Sequence, residues 1–221
     1  MQSSPKKSVY ARTLTFLTSS VLFLALVGCS NTDDASPDLD ETTDASASET
    51  TEFVPASEEG PAQNVPEPRL PAVTTEHSHE GAYAALEYFW EAESYASLTG
   101  DSGPLSIVSS EDCAFCTESI EGWPQNYDEG YWSVMDGDIE VDVTEVVISD
   151  EEDENQNVAH VYFELTEPPT DFFNKEGMRL EESFDSSEVT GWLAELVYDP
   201  TAQSWNVKWI GLEEDIVWDE S

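Results

Sequence analysis

The clearest pattern in the chain is an apolar stripe at residues 79–101, HEGAYAALEYFWEAESYASLTGD. Ala82, Leu86, Phe89, Trp90 and Glu93 recur at helical spacing, with Tyr83 and Ala96 flanking, so the spacing predicts a helix that Gly100 closes. Pro104–Val108 predicts one short helical turn. Ser109 or Ser110 is placed to cap a third helix through Cys113 and Ile120, expected to stop at Trp123-Pro124, where proline removes a donor. After Gly130 the period becomes two. Residues 138–144 alternate and run into Val146, Val147 and Ile148; residues 150–157 read as a polar turn and 158–165 as the returning strand. Phe172-Phe173, residues 174–177 and Met178–Leu180 predict a small hairpin. Residues 190–198 alternate with Trp192, Ala194, Leu196 and Tyr198 on one face, Asp199-Pro200 turns the chain, and Trp205, Val207 and Trp209 return. Helices followed by antiparallel strands give an α+β class, with the N-terminal helices packed on one face of a curved antiparallel sheet.

Upstream the pattern vanishes. Residues 30–76 are rich in acid, Ser, Thr, Ala and Pro and show no usable period. Low hydrophobicity at high charge buries too little surface to offset chain entropy, so residues 29–76 are expected to form a disordered acidic linker. Its flexible-chain reach is roughly 40 Å, lengthened by self-repulsion and proline. The folded domain is then expected at 77–212, with an acidic tail at 213–221.

Charge sharpens this. The 221 residues hold 7 basic and 48 acidic side chains, net −41. Lys6, Lys7 and Arg12 are the only charges in residues 1–28, so residues 29–221 set four basic side chains against 48 acidic ones. Such a chain repels phosphate backbones and anionic headgroups, which excludes nucleic acid and electrostatic lipid binding.

Residues 1–28 read as a signal peptide: a basic n-region, then an h-region of about fourteen residues from Leu14 to Val27, short of the roughly 20 a spanning helix needs. It ends at Leu26-Val27-Gly28-Cys29, which resembles the lipobox of bacterial lipoproteins. That resemblance implies diacylglyceryl transfer to the Cys29 thiol, cleavage between Gly28 and Cys29, and anchorage in the cell membrane on the extracytoplasmic face, since two acyl chains hold stably where one does not. The alternatives are a cysteine beside an ordinary secretory cleavage site and an uncleaved signal anchor.

The long aromatic helix ending in Thr99-Gly100-Asp101, the Pro104-Leu105 turn and the hairpin from Tyr198 to Trp209 resemble the NTF2-like cone fold. With the lipobox, the acidic linker and Asp112-Cys113-Ala-Phe-Cys116, the chain is similar to uncharacterised actinobacterial lipoproteins with an NTF2-like domain. No activity comes with that resemblance.

Cys113 and Cys116 admit three readings. A disulfide suits an exported, oxidised protein. A thioredoxin-like redox pair lacks its βαβ context, and a zinc half-site lacks a second pair of ligands. The disulfide is the expectation, with Cys29 removed from the count. Asp136, Asp138, Glu140 and Asp142, at every second position, are expected to form the solvated face of a strand, about 6–7 Å apart; calcium needs six to eight oxygens, more than one strand supplies. Residues 150–155 read as a charged turn tip. His77 and His79 read as surface histidines of the linker rather than a weak chelate, and His160 as a rim residue or a general base in a cone pocket. Trp90, Trp192, Trp205 and Trp209 read as core of a sheet–helix interface rather than a stacking platform. No metal site or cofactor is expected.

The resulting expectation is a lipid-anchored envelope protein acting as a non-catalytic binding or interaction module, its partner a small ligand or another envelope protein. Two alternatives stand beside it: an NTF2-like enzyme of isomerase or dehydratase type, built on His160 and an inward acid, and an acidic surface protein that binds cations such as calcium.

Overall fold

The computed structural model describes residues 52–149 and 157–215. Gly28, Cys29 and the rest of residues 1–51 lie outside them, as do the turn at 150–156 and the tail from 216.

Helix α1 runs His79–Thr99. Ser78 caps it, its Oγ accepting from the Gly81 N–H at 3.1 Å, and Gly100 ends it in the left-handed conformation with φ 73°. A Cβ at Gly100 would stand 2.6 Å from that of Tyr127, so glycine also permits the close approach of the next helix but one. Helix α2 is Gly103–Ile107 and α3 is Ala114–Asp128, the latter capped by Cys113, whose Sγ accepts from the Cys116 N–H at 3.1 Å. The expected stop at Pro124 is therefore corrected. Proline leaves the Ile120 carbonyl without its helical donor, and the Ser102 hydroxyl supplies one from outside at 2.9 Å, so α3 continues for another turn.

Six strands follow: β1 Trp132–Met135, β2 Glu140–Ile148, β3 Val158–Glu167, β4 Thr170–Phe173, β5 Ser187–Asp199 and β6 Ser204–Leu212. β2, β3, β5 and β6 form an antiparallel sheet in that order, while β1 pairs with β4 apart from it. Register shifts near Thr144, Gly191 and Lys208 are the bulges that bend a sheet. Along β3, Ala159, Val161, Phe163 and Leu165 are buried and their neighbours half-buried. They meet Leu86, Phe89 and Trp90 of α1, Leu196 of β5 and Trp205 and Val207 of β6 in one core. The extra residue Lys208 flips the end of β6, so Ile210 takes the inward place opposite Ala194 and Trp209 leaves it. Trp209 is thus not core, a correction that no period-two reading can anticipate.

The linker expectation is corrected for residues 52–76. Val54 and Gln63 pair, and Ala72–Thr75 form a 3-10 turn with Thr74 buried. Three ring donors hold this segment's carbonyls: Trp132 Nε1 to Ser57, Tyr198 Oη to Thr75 and Trp205 Nε1 to Glu76, each at 2.8 Å. Proline and acid composition argued for disorder; what opposes it is the demand of buried aromatic N–H and O–H groups for acceptors.

Candidate functional site

A pocket of about 260 Å³ lies between the helices and the strands, and its lining is mostly apolar. Helix α1 contributes Trp90, Glu93 and Ser97, and α3 contributes Phe115 and Trp123. The strands add Ser133 and Met135 of β1, Leu165 and Glu167 of β3, Thr170 and Phe172 of β4, and Trp192 of β5; Phe184 completes the aromatic wall. The side chains reach one space because the apolar stripe of α1 faces the sheet while β1 and β4, paired with each other, close one end.

Glu93 is the chemical centre of this space. Its side chain is on the stripe that the helix turns inward, and the residue is 8% exposed. One carboxyl oxygen, Oε1, accepts from Trp123 Nε1 at 2.9 Å and from Ser119 Oγ at 3.1 Å. The other, Oε2, is buried with no partner. Burial pushes the Glu93 carboxyl above the ordinary carboxylate range; the Trp123 and Ser119 hydrogen bonds pull it back in part, and the nearby Glu167 charge pushes the same way as burial. Two further buried polar atoms lack partners, Trp90 Nε1 and Trp192 Nε1, and both residues line the same pocket. Buried polar groups are nearly always paired, and these three unpartnered atoms belong to residues that line one pocket, which makes it the candidate site.

A second depression, about 550 Å³, lies across Trp90 and Ile139 from the first and is walled by Val65, Pro66, Glu67 and Pro68. It is the larger, but Trp90 is its one residue with a buried unpartnered polar atom, and the pocket around Glu93 is the better candidate.

The residues singled out in the sequence are otherwise scattered. Cys113 and Cys116, both fully buried, are bonded with S–S 2.02 Å at the start of α3. Only Glu140 and Asp142 of the acidic series lie on a strand; Asp136 and Asp138 precede it, so the four share no ladder face. His79 begins α1, and His77 stacks on Tyr198 with ring centroids 4.7 Å apart rather than sitting in a disordered linker. His160 points away from the core side of β3, with Nε2 3.5 Å from Glu195 Oε2, and Glu195 also meets Lys208 at 3.3 Å. It does not line the pocket. Among the described residues no group of three or more His, Cys, Asp or Glu is placed to hold a metal ion, and no helix is long and apolar enough to cross a membrane. Trp90 is both core and pocket wall, while Trp192 is half-buried, packed against the core and also on the pocket wall, so packing and ligand contact are not exclusive readings. Glu93 was missed as a site residue. Its signal was present: a carboxylate on an otherwise apolar helical stripe.

A family model described as "Family of unknown function (DUF6318)" matches residues 51–209. No curated protein matches the sequence. Among solved structures, the crystal structure of the intermembrane space region of the chloroplast protein ARC6 is similar at TM-score 0.45 and 14% identity, over 61% of this chain and 95% of that one.

Proposed function

We propose a function from the premise that this chain belongs to DUF6318, a family of unknown function: it is a lipid-anchored extracytoplasmic protein whose NTF2-like domain binds a small molecule without transforming it. The pocket carries this reading. A mostly apolar cavity with a few convergent polar groups is the usual form of a small-ligand site. Here those groups are Glu93 Oε2 and the indole N–H groups of Trp90 and Trp192. A volume of about 260 Å³ suits a small aromatic molecule. The lipobox at Cys29 and the acid-rich stretch after it support an anchor and a spacer that holds a negative domain off a negative surface.

The cone is supported by element order: a long helix, two shorter ones, then antiparallel strands with the pocket on the helix side. An isomerase or dehydratase reading loses His160 to the other face of the sheet and retains two acids, Glu93 and Glu167, with no Lys, Arg or His among the residues lining the pocket.

Two experiments test the two halves. Membrane fractionation of a Cys29→Ala variant should move the protein to the soluble fraction; retention in the membrane overturns the anchor. For the pocket, the neutral fluorophore N-phenyl-1-naphthylamine should bind the domain saturably, and Met135→Trp, which fills the space, should abolish the signal. Equal binding by the filled variant overturns the pocket reading.

A further inference from the structure

The ligand's chemical class can be narrowed from the walls of the pocket. Three indoles, Trp90, Trp123 and Trp192, and three phenyl rings, Phe115, Phe172 and Phe184, surround it. Two carboxyl groups, Glu93 and Glu167, reach it, and no Lys, Arg or His does. Of the basic side chains elsewhere in the described domain, Lys175, Arg179 and Lys208 each pair with an acid. The field inside is therefore negative, and aromatic faces with nearby carboxylates attract cations. The hydrogen-bond pattern of Glu93 is directional as well. Its Oε1 already takes both protein donors, which leaves Oε2 as the acceptor for a donor that the protein does not provide.

Resting on the small-molecule reading above, we infer that the pocket binds an organic ammonium ion with an apolar body, its rings or alkyl groups against Trp90, Trp123 and Trp192 and its N–H on Glu93 Oε2. The unpartnered indole N–H groups of Trp90 and Trp192 then accommodate one acceptor on the same molecule. In the empty pocket burial favours the protonated form of Glu93. The groups that face Glu93 are Glu167 from β3 and the Trp123 and Ser119 donors from α3. Where Glu93 carries a proton, binding of the ammonium ion ionises it and the displaced proton passes to the buffer.

Calorimetry of the intact chain with three isosteres tests this: benzylammonium, benzyl alcohol and benzoate. Benzylammonium should bind about tenfold or more tighter than benzyl alcohol, the scale by which a charge-assisted hydrogen bond to Glu93 exceeds a neutral one. Benzoate should bind weakest. Glu93→Gln keeps the acceptor for Trp123 and Ser119, so it should fold; it should bring ammonium and alcohol within about threefold of each other. Glu118→Gln, on an exposed position of α3, should leave the preference intact, which separates the pocket from general attraction to an acidic surface. Binding heats in buffers of different ionisation enthalpy should report proton release below the pKa of Glu93, absent in Glu93→Gln. Equal affinity for ammonium and alcohol overturns the cation assignment and leaves the small-molecule reading standing. Tightest binding of benzoate reassigns the site to anions held by the indole N–H groups. No binding of any of the three, with no saturable fluorophore binding, overturns both.

Discussion

The Ser102 hydroxyl donates to the Ile120 carbonyl at 2.9 Å, and that carbonyl is the one Pro124 leaves without a helical donor. A residue before α2 thus repairs a defect in α3, which lets the helix carry Trp123 to the pocket. Ser102→Ala should destabilise the domain by about 1–2 kcal/mol, the cost of orphaning a part-buried acceptor. In a Pro124→Ala background, where residue 124 can donate to Ile120 itself, the same change should cost well under half as much. Urea unfolding of the four-member cycle measures the coupling; additive effects would show that the two residues do not share that carbonyl.

Much of the architecture could be read from the sequence because it rests on local periodicity. The α1 stripe, its Gly100 end, the β3 alternation and the β5–β6 hairpin are all short-range patterns. What escaped depends on distant partners. The continuation of α3 needs Ser102, the order of residues 52–76 needs Trp132, Tyr198 and Trp205, and the displacement of Trp209 comes from one bulge residue. β1 has too few residues to show a period, and it is fixed by β4. The site was legible only as an anomaly, an acid on an apolar face, because the cavity around Glu93 is made by elements up to a hundred residues away.

Residues 52–76 should behave as part of the domain. A chain beginning at residue 77 loses the Ser57, Thr75 and Glu76 acceptors at once, and three hydrogen bonds at about 1 kcal/mol each place the expected loss near 2–4 kcal/mol. Tyr198→Phe removes one and should cost about 1 kcal/mol. Thermal unfolding checks both. Equal Tm for chains starting at 52 and 77 would return the segment to the linker.

The Cys113–Cys116 bond closes a loop of only four residues, so chain entropy limits its contribution to about 2 kcal/mol. Both cysteines are fully buried, which also shields them from reagents. Dithiothreitol should leave the folded domain oxidised for hours and reduce it promptly in urea, read by thiol alkylation and mass spectrometry. Cys113→Ser with Cys116→Ser should lower stability by about 2 kcal/mol without unfolding the domain. Rapid reduction of the native protein is the contrary result.

Glu93 should leave a signature in the pH dependence of stability. Its carboxyl holds a proton more tightly in the folded state than in the unfolded chain, because burial disfavours the charge. The contribution of that proton is complete below the ordinary carboxylate range, where both states are protonated. It is lost as pH rises through the raised pKa, at about 1.4 kcal/mol for each pH unit between the two values. Glu93→Gln has no such proton to lose. The variant and the parent should therefore be nearly equal at about pH 4, and the variant should gain on the parent as pH rises until the raised pKa of Glu93 is passed, where the difference levels off. The mutual repulsion of the other acidic groups acts on both proteins and cancels in the difference. Denaturant unfolding of the pair at four or five pH values gives the curve; a difference that stays flat with pH would mean that Glu93 is already ionised throughout and that its buried oxygen is solvated.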